Sequence, residues 1–365
     1  MAQVLVVITN LQQSFLSLVR LGIGLPVSNI TIDTNWNGME ALARQQGLLP
    51  IIVDGIGKLP DAERPPKELL LQWIGEVLQG EATYAAQKEA AAKLAELFHN
   101  NAIRTYVLKG MVVAECYPNP VHRVSADLDC YLKPIQGDFD AWELGNGIVE
   151  SQGYEVDCGF YKNSTFILPG LTVENHKFLS PFRGNSKLER LERVFQSMLL
   201  DDEEDNRFDN VWLYRPPIMV SALFLIEHAY SHFLHEGLTW RMVLDWMLFC
   251  RKHKEDLYWN DLDNFIEEFG FKRFYESFVK IGLFLLGEIT EDKLSKENLV
   301  MLSDIWAPLD WSETSHGIKG KLDMVGATLR ARWKYRYFGD ISMLHALWIQ
   351  VYGYLFIKNP KLEYK

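Results

Sequence analysis

The chain has 365 residues, and at about 150 residues per domain this length predicts two domains or one large domain with an extension. Hydrophobic residues make up 48% of the sequence and aromatic residues 13%, which excludes an intrinsically disordered chain. Because 48 acidic residues outnumber 37 basic ones, the net charge of -11 argues against nonspecific binding to nucleic acid.

In chain order, the predicted elements form three zones. Residues 1–100 are predicted to be mainly helical, and residues 84–99 strongly so because they are rich in Ala, Lys, Gln and Glu. Strand signals separated by Gly, Pro and Asn follow, with a helix predicted at 139–151. The acidic run 201–205 is interpreted as a solvated linker, and residues 217–357 are helical again. The five predicted strands are 105–108, 126–132, 154–161, 165–168 and 171–178.

These zones predict an α+β protein with a small mixed β-sheet core and flanking helices. We place an N-terminal, mainly helical segment that packs on the core at 1–100, the core itself at 101–200 and an all-helical C-terminal domain at 201–365. The sequence shows no internal repeat and no low-complexity tract.

The cysteines and the two ends of the chain predict a cytoplasmic protein. Four cysteines are scattered without C-x-x-C spacing, which favours free thiols. The first 26 residues lack the basic segment of a secretory leader and are interpreted as a helix. Polar residues interrupt the apolar stretch 341–357, so we expect a buried terminal helix and no transmembrane segment.

An Asp-x-Asp pair on the second predicted strand carries the strongest chemical signal. Successive side chains of a strand alternate between its faces, so Asp127 and Asp129 share one face while Leu128 and Cys130 occupy the apolar opposite face. Two neighbouring carboxylates repel each other unless a cation lies between them, and this pairing suits Mg²⁺. The same spacing at 138/140 and 261/263 falls at predicted helix starts, where acidic residues complement the helix dipole.

Two further features accompany this acidic pair. Lys109 and Gly110 follow the first predicted strand and open a helix, a geometry in which backbone N–H groups can meet a phosphate. Glu174 shares a strand face with His176, and pairing of that strand beside the aspartate strand would bring three acids together. The alternative for Glu174 is an ordinary exposed strand residue.

An ordered set of motifs resembles a known family. Leu108-Lys109-Gly110, Tyr117-Pro118, Arg123, Ala126-Asp127-Leu128-Asp129 and Val173-Glu174-Asn175-His176 stand in the order found in the uncharacterised nucleotidyltransferase family. That family lies within the DNA polymerase β-type nucleotidyltransferase superfamily. In the helical part that follows, its spaced histidines and aspartate match His228, His232, Arg241 and Asp245. The resemblance covers roughly residues 94–251.

The resemblance implies a metal-dependent enzyme that transfers a nucleoside monophosphate from a nucleoside triphosphate (NTP) to a hydroxyl acceptor and releases pyrophosphate. It implies that Asp127 and Asp129 bind two Mg²⁺ ions, with Mn²⁺ as a substitute, and that Glu174 completes the metal site.

For nucleotide binding, the resemblance implies that Lys109 and Gly110 contact the triphosphate and that Arg123 adds charge near the leaving phosphates. His176, His228 and His232 are candidates for the surrounding cleft.

One departure keeps other functions open. Most superfamily members carry a small residue after the glycine, where this chain has Met111. That residue is Gly or Ser, and without a serine hydroxyl here a catalytically inactive module that binds a nucleotide or a protein is the main alternative. A metal-dependent phosphohydrolase would use the same acids with water as nucleophile.

Four features of the helical part have simpler interpretations. His228, His232 and His235 share a helix face, but no cysteine lies nearby to favour zinc, so a cleft or core position is preferred. Arg241 and Asp245 are interpreted as an ordinary helix pair. The basic, aromatic segment 330–337 is interpreted as a helix end, with an acceptor-guiding surface as its alternative. Trp240 and Trp246 are expected in the core.

Overall fold

A computed structural model describes residues 8–28, 32–181, 185–307 and 331–337, together with Trp348. Across these residues the chain forms one six-stranded mixed sheet with helices before and after it, which confirms the predicted α+β class.

The N-terminal part is helical, as predicted. Its helices are α1 (Asn10–Gly22), α2 (Trp36–Gln45), α3 (Leu49–Ile56) and α4 (Lys67–His99). Thr9 begins α1 with a capping box, in which its side chain accepts from the backbone of Gln12 and the Gln12 side chain accepts from the Thr9 N–H. A 3-10 helix, Asp61–Glu63, precedes α4.

The sheet has the spatial order β3-β4-β5-β2-β1-β6. Its strands are β1 (Ile103–Val107), β2 (Asp127–Pro134), β3 (Val156–Asp157), β4 (Asn163–Leu168), β5 (Leu171–His176) and β6 (Leu213–Tyr214). The central strand β2 pairs antiparallel with β1 and parallel with β5. The strand predicted at 154–161 is wrong in extent, since only two of its residues form β3, and the sequence did not indicate β6.

Both faces of the sheet are covered, so the sheet lies between two cores. Leu128, Cys130 and Leu132 pack with Phe98 of α4 and with α6 (Ala141–Ser151) in one core. On the opposite face, Tyr106 and Tyr131 pack in a larger core shared with C-terminal helices. The two short elements between β1 and β2 are α5 (Met111–Ala114) and the 3-10 helix Pro120–His122.

The interpretation of residues 201–205 as a solvated linker is wrong at its second residue. Asp202 is buried and accepts a 2.7 Å hydrogen bond from the Tyr106 hydroxyl. The Lys133 ammonium donates to the Asp202 carbonyl over 2.6 Å. Part of the acidic run packs against the sheet because Tyr106 and Lys133 donate hydrogen bonds to its buried oxygens.

After β5 the described residues are mainly helical, and the prediction of helices from residue 217 is confirmed there. The helices of this C-terminal part are α7 (Ser186–Leu200), α8 (Ile218–His235), α9 (Trp240–Lys252), α10 (Trp259–Glu268), α11 (Lys272–Leu286) and α12 (Lys296–Trp306). Helix α7 was not predicted, and β6 is an exception to the all-helical region predicted at 201–365. Two 3-10 helices, Glu291–Lys293 and Ala331–Tyr337, complete this part. Trp240 and Trp246 are buried, which confirms their core positions.

The N-terminal helices also pack against this C-terminal part. Arg20 of α1 donates to the carbonyls of Leu285 and Phe284, both over 2.7 Å. Gln46, which follows α2, donates to the Ile305 carbonyl over 2.9 Å and accepts from the Trp240 N–H over 2.7 Å. The division at 100 and 200 stays a prediction, and the predicted terminal helix at 341–357 lies outside the described residues except Trp348.

Candidate active site

The parallel pairing of β2 with β5 positions the candidate site. The register places Asp129 opposite Glu174 and Tyr131 opposite His176. Since alternate residues of a strand share a face, the Asp129, Glu174 and His176 side chains lie on the same face of the sheet. This is the juxtaposition on which the prediction of converging acids depended.

Asp129, Glu174 and His176 form a compact group. One potential ligand atom from each lies within 4.8 Å of the others, and in the described part of the chain this is the group of three or more such residues that could hold a metal ion. His176 Nε2 is 3.1 Å from Asp129 Oδ1 and 3.7 Å from Glu174 Oε2. Asp127, the first predicted metal ligand, lies two residues away on the same strand face and is partly exposed, outside this group.

Lys109 brings a positive charge to the same site. Its ammonium lies 3.0 Å from Asp129 Oδ2 and 3.2 Å from His228 Nε2 on α8. Because an ammonium group can only donate, the imidazole nitrogen of His228 accepts and the ring is neutral in this arrangement. Burial, followed by the charge of Lys109, lowers the pKa of His228 well below its usual value.

The two carboxylates of the group differ in their electrostatics. Burial alone would raise the pKa of Asp129, but Lys109 and the hydrogen bond from His176 outweigh burial and hold that pKa well below its usual range. Burial, followed by the negative charge of Asp129, raises the pKa of Glu174. Asp129 is therefore the fixed anion, and Glu174 is the carboxylate that more readily accepts a proton.

Gly110 has a backbone conformation that residues other than glycine rarely adopt. Its backbone has φ +60° and ψ -101°, and a Cβ built there would lie 3.3 Å from Ser125 Oγ. The turn therefore requires glycine and lies beside the segment that leads into Asp127. Met111, the departure from the superfamily pattern, is buried in the core formed by one sheet face and α4.

Arg123 forms an ion pair with Asp245, which the spacing of residues in the sequence did not predict. Its Nε and Nη2 atoms donate to Asp245 Oδ1 and Oδ2 over 3.0 and 2.8 Å, and the Tyr117 hydroxyl donates to Asp245 over 2.7 Å. The interpretation of Arg241 and Asp245 as a helix pair is therefore wrong, since the Arg241 guanidinium donates to the Val124 carbonyl over 2.8 Å. Only Nη1 of Arg123 is left without a hydrogen-bond partner.

Two histidines of α8, His228 and His232, have protein partners. His232 Nδ1 is 2.8 Å from Glu236 Oε2, and the rings of His228 and His232 lie 4.4 Å apart. Among the described residues, His228, His232 and His235 do not form a group that could hold a metal, so the zinc alternative is not supported.

The basic segment 330–337 packs inward through the side chains that the structure describes. Lys334 is buried and pairs with Asp304 over 2.8 Å, and the Tyr337 hydroxyl donates to the Glu297 carbonyl.

Two open cavities flank the residues that lead into Asp127. One of about 520 Å³ is lined by Ala126, His232 and Glu236, among others. A second, of about 710 Å³, is lined by Tyr84, Ser125 and neighbouring groups of α2, α3 and α4. The two cavities share three lining residues, which are Arg44, Gly47 and Val124. Neither cavity is lined by Asp127, Asp129 or Glu174.

The donor set of the site fits a divalent cation. Asp129 Oδ2 is buried without a hydrogen-bond partner, although the Lys109 ammonium lies within ion-pair distance. Carboxylate oxygens from Asp129 and Glu174, with Asp127 on the same strand face, are ligands of the kind that Mg²⁺ and Mn²⁺ prefer. His176 donates to Asp129, as residues behind metal-binding carboxylates often do.

Comparison with protein families identifies the class of protein. The family model described as uncharacterised nucleotidyltransferase matches residues 33–281, about two thirds of the chain. The chain therefore belongs to the uncharacterised nucleotidyltransferase family, which confirms the suspected family. The match also extends beyond residues 94–251 and takes in α2, α3 and α4.

The remaining comparisons add no relative. Neither the comparison with curated proteins nor that with solved structures found a match. Among the described residues, no helix combines the length and apolar character needed to cross a bilayer.

Proposed function

We propose that this family member is a metal-dependent enzyme that transfers a nucleoside monophosphate from an NTP to a hydroxyl acceptor, with release of pyrophosphate. The observation that supports it best is the parallel register that sets Asp129 opposite Glu174, with Lys109 against the same carboxylate. This arrangement places two acids and a cation beside the Gly110 turn.

In this proposal Asp127, Asp129 and Glu174 hold two Mg²⁺ ions, for which Mn²⁺ can substitute. When bound, the two ions stabilise the attacking and leaving oxygens of the displacement at the α-phosphate. Glu174, at the metal nearer the acceptor, orients or deprotonates the acceptor hydroxyl.

The remaining predicted residues bind and orient the nucleotide. The backbone of Gly110 and the ammonium of Lys109 contact the triphosphate. Arg123 reaches a leaving phosphate only through Nη1, since Asp245 takes its other donors. His176, His228 and His232 orient these groups at the edge of the cleft rather than contacting the reacting atoms.

Each α-phosphate-labelled NTP, incubated with Mg²⁺ or Mn²⁺ and the full chain, tests the proposal. We expect metal-dependent NTP binding and label transfer with release of pyrophosphate, both lost in Asp129→Asn. Release of inorganic phosphate instead would identify a phosphohydrolase. NTP binding with no turnover for any acceptor would favour an inactive module, an alternative that has support because Met111 lies in the core and offers no hydroxyl.

A further inference from the structure

The carboxylate of Asp129 already has a protein partner on each oxygen. His176 Nε2 lies 3.1 Å from Oδ1, and Lys109 Nζ lies 3.0 Å from Oδ2. The side chains of Asp129 and Lys109 are 3% and 11% exposed, so water and salt screen their attraction only weakly. Lys109 thus supplies the positive charge that a buried carboxylate requires.

Lys109 also stands at a point from which its ammonium can change partners. It directly precedes Gly110, the turn assigned above to the triphosphate, and it is supported from the other side by His228 Nε2 at 3.2 Å. The His228 contact is to a neutral ring and adds no competing charge. An incoming triphosphate would therefore compete directly with Asp129 for the same cation.

We propose that Lys109 is an exchangeable internal counter-ion, which neutralises Asp129 before substrate binds and moves to the triphosphate as nucleotide and divalent cation bind together. This role rests on the proposed function and adds to it a coupling between nucleotide binding and metal binding. A divalent cation on Asp129 would repel an ammonium that remained at about 3 to 4 Å, whereas a triphosphate offers that ammonium another anion. Nucleotide and metal should consequently tighten each other's binding by the same factor.

A second buried lysine provides a matched control. The side chain of Lys162 is 12% exposed, and its ammonium lies 3.8 Å from Glu227 Oε2. Lys162→Met and Lys109→Met both remove an ammonium charge and keep an unbranched side chain of similar length. Lys162→Met leaves the contact with Asp129 intact. General loss of positive charge near the site is thereby separated from loss of the particular contact.

The experiment is a titration of the full chain with Mn²⁺, in which the unbound ion is followed by its electron paramagnetic resonance signal. Each protein is titrated alone and with a nonhydrolysable α,β-methylene NTP. Lys109→Met should bind Mn²⁺ at least about tenfold more tightly than the unmodified chain when no nucleotide is present. The nucleotide should tighten Mn²⁺ binding to the unmodified chain and to Lys162→Met but much less to Lys109→Met.

Equal nucleotide-free Mn²⁺ affinity of the unmodified chain and Lys109→Met would overturn the counter-ion role. Nucleotide that binds without tightening Mn²⁺ would overturn the exchange while leaving the proposed function standing. Absence of any nucleotide binding would instead refute the proposed function, and the nucleotide-free comparison would still decide whether Lys109 opposes the metal.

Circular dichroism checks that each variant is folded. If Lys109→Met does not fold, His228→Leu keeps the lysine and removes its second contact, and its nucleotide-free Mn²⁺ affinity then decides the question. We expect His228→Leu to bind Mn²⁺ more weakly than the unmodified chain, because the ammonium is then held by Asp129 alone. An unchanged affinity would contradict the assignment.

Discussion

Two buried acid–base pairs lie within the same part of the molecule and are built in different ways. Arg123 donates two hydrogen bonds to the Asp245 carboxylate, and the Tyr117 hydroxyl donates a third. Lys109 meets Asp129 through one ion-pair contact and shares its ammonium with a histidine.

The difference teaches which pair can change during function. A guanidinium fork fixes two planar groups in one geometry, whereas an ammonium on a flexible stem is a point charge that can turn to another anion. Glu174, the second carboxylate beside Asp129, also favours replacement of the lysine by a divalent cation. Burial and the charge of Asp129 raise its pKa, and a bound cation would reduce the repulsion between the two carboxylates. The arginine pair is therefore fixed in one geometry, and the lysine pair is the one that we propose exchanges its partner.

The largest expected effect comes from breaking the structural pair. Asp245→Asn should lower the free energy of unfolding by about 3–5 kcal/mol, because it leaves the buried Arg123 charge uncompensated. Denaturant titration measures this value, with the exposed Asp263→Asn as control. A loss no greater than that of the control would place Arg123 and Asp245 outside the stabilising core.

Breaking the exchangeable pair should affect function more than stability. Asp129→Asn is expected to lower metal-dependent transfer by at least about 100-fold, because it removes a charged ligand of the proposed site. Its loss of unfolding free energy should be smaller than that of Asp245→Asn, since the change also removes repulsion toward Glu174. Label transfer and denaturant titration on the same preparation test both statements, and the opposite ranking of stabilities would reverse the assignment of the two pairs.

In a third buried charged group, around His122, the contribution to stability should depend on pH. His122 lies between Asp54 Oδ2 of α3 at 2.6 Å and Glu81 Oε1 of α4 at 2.9 Å. The hydrogen bond with Asp54 is the largest cause of the raised pKa of His122. The stabilisation from its charged form, about 1–3 kcal/mol, is fully present below the unfolded pKa of about 6.5 and is lost as pH rises through the higher folded value.

His122→Gln tests this dependence, because its side chain cannot take up a proton in this range. The difference in unfolding free energy between the two proteins should shrink as pH rises from about 6 to 9. A difference that stays constant over this interval would show that His122 does not carry the expected charge.

The smallest effect is expected at a buried acid whose ion pair is long. Burial raises the pKa of Glu227, and the Lys162 ammonium lies 3.8 Å from its Oε2. Glu227→Gln should therefore change the unfolding free energy by less than about 1 kcal/mol at neutral pH. A loss similar to that of Asp245→Asn would mean that Glu227 is a charged member of a tight pair.

The sequence predicted those features that depend on local pattern. Alternation of side chains along each strand predicted which face of β2 carries Asp129 and which face of β5 carries Glu174. The pairing of the two strands then brings these side chains together. The glycine turn at Gly110 followed from its position between a strand and a helix. The catalytic and binding roles given to these residues remain predictions.

Contacts between distant parts of the chain could not be predicted in the same way. Arg123 and Asp245 are 122 residues apart, and the helical spacing of Arg241 suggested a different partner. The acidic run around Asp202 suggested exposure because its buried partners lie on the sheet. The two-residue strand β6 is too short to show alternation.

The side chain of Gln46 has a consequence for any attempt to dissect the protein. Its amide satisfies a carbonyl at the end of α12 and the first N–H of α9 at once, while Arg20 does the same for the last turn of α11. A fragment that starts after α3 would expose these backbone groups together with the apolar surface around them. Helices α1 to α3 thus complete the packing of the C-terminal helices, and we expect a fragment without them to aggregate.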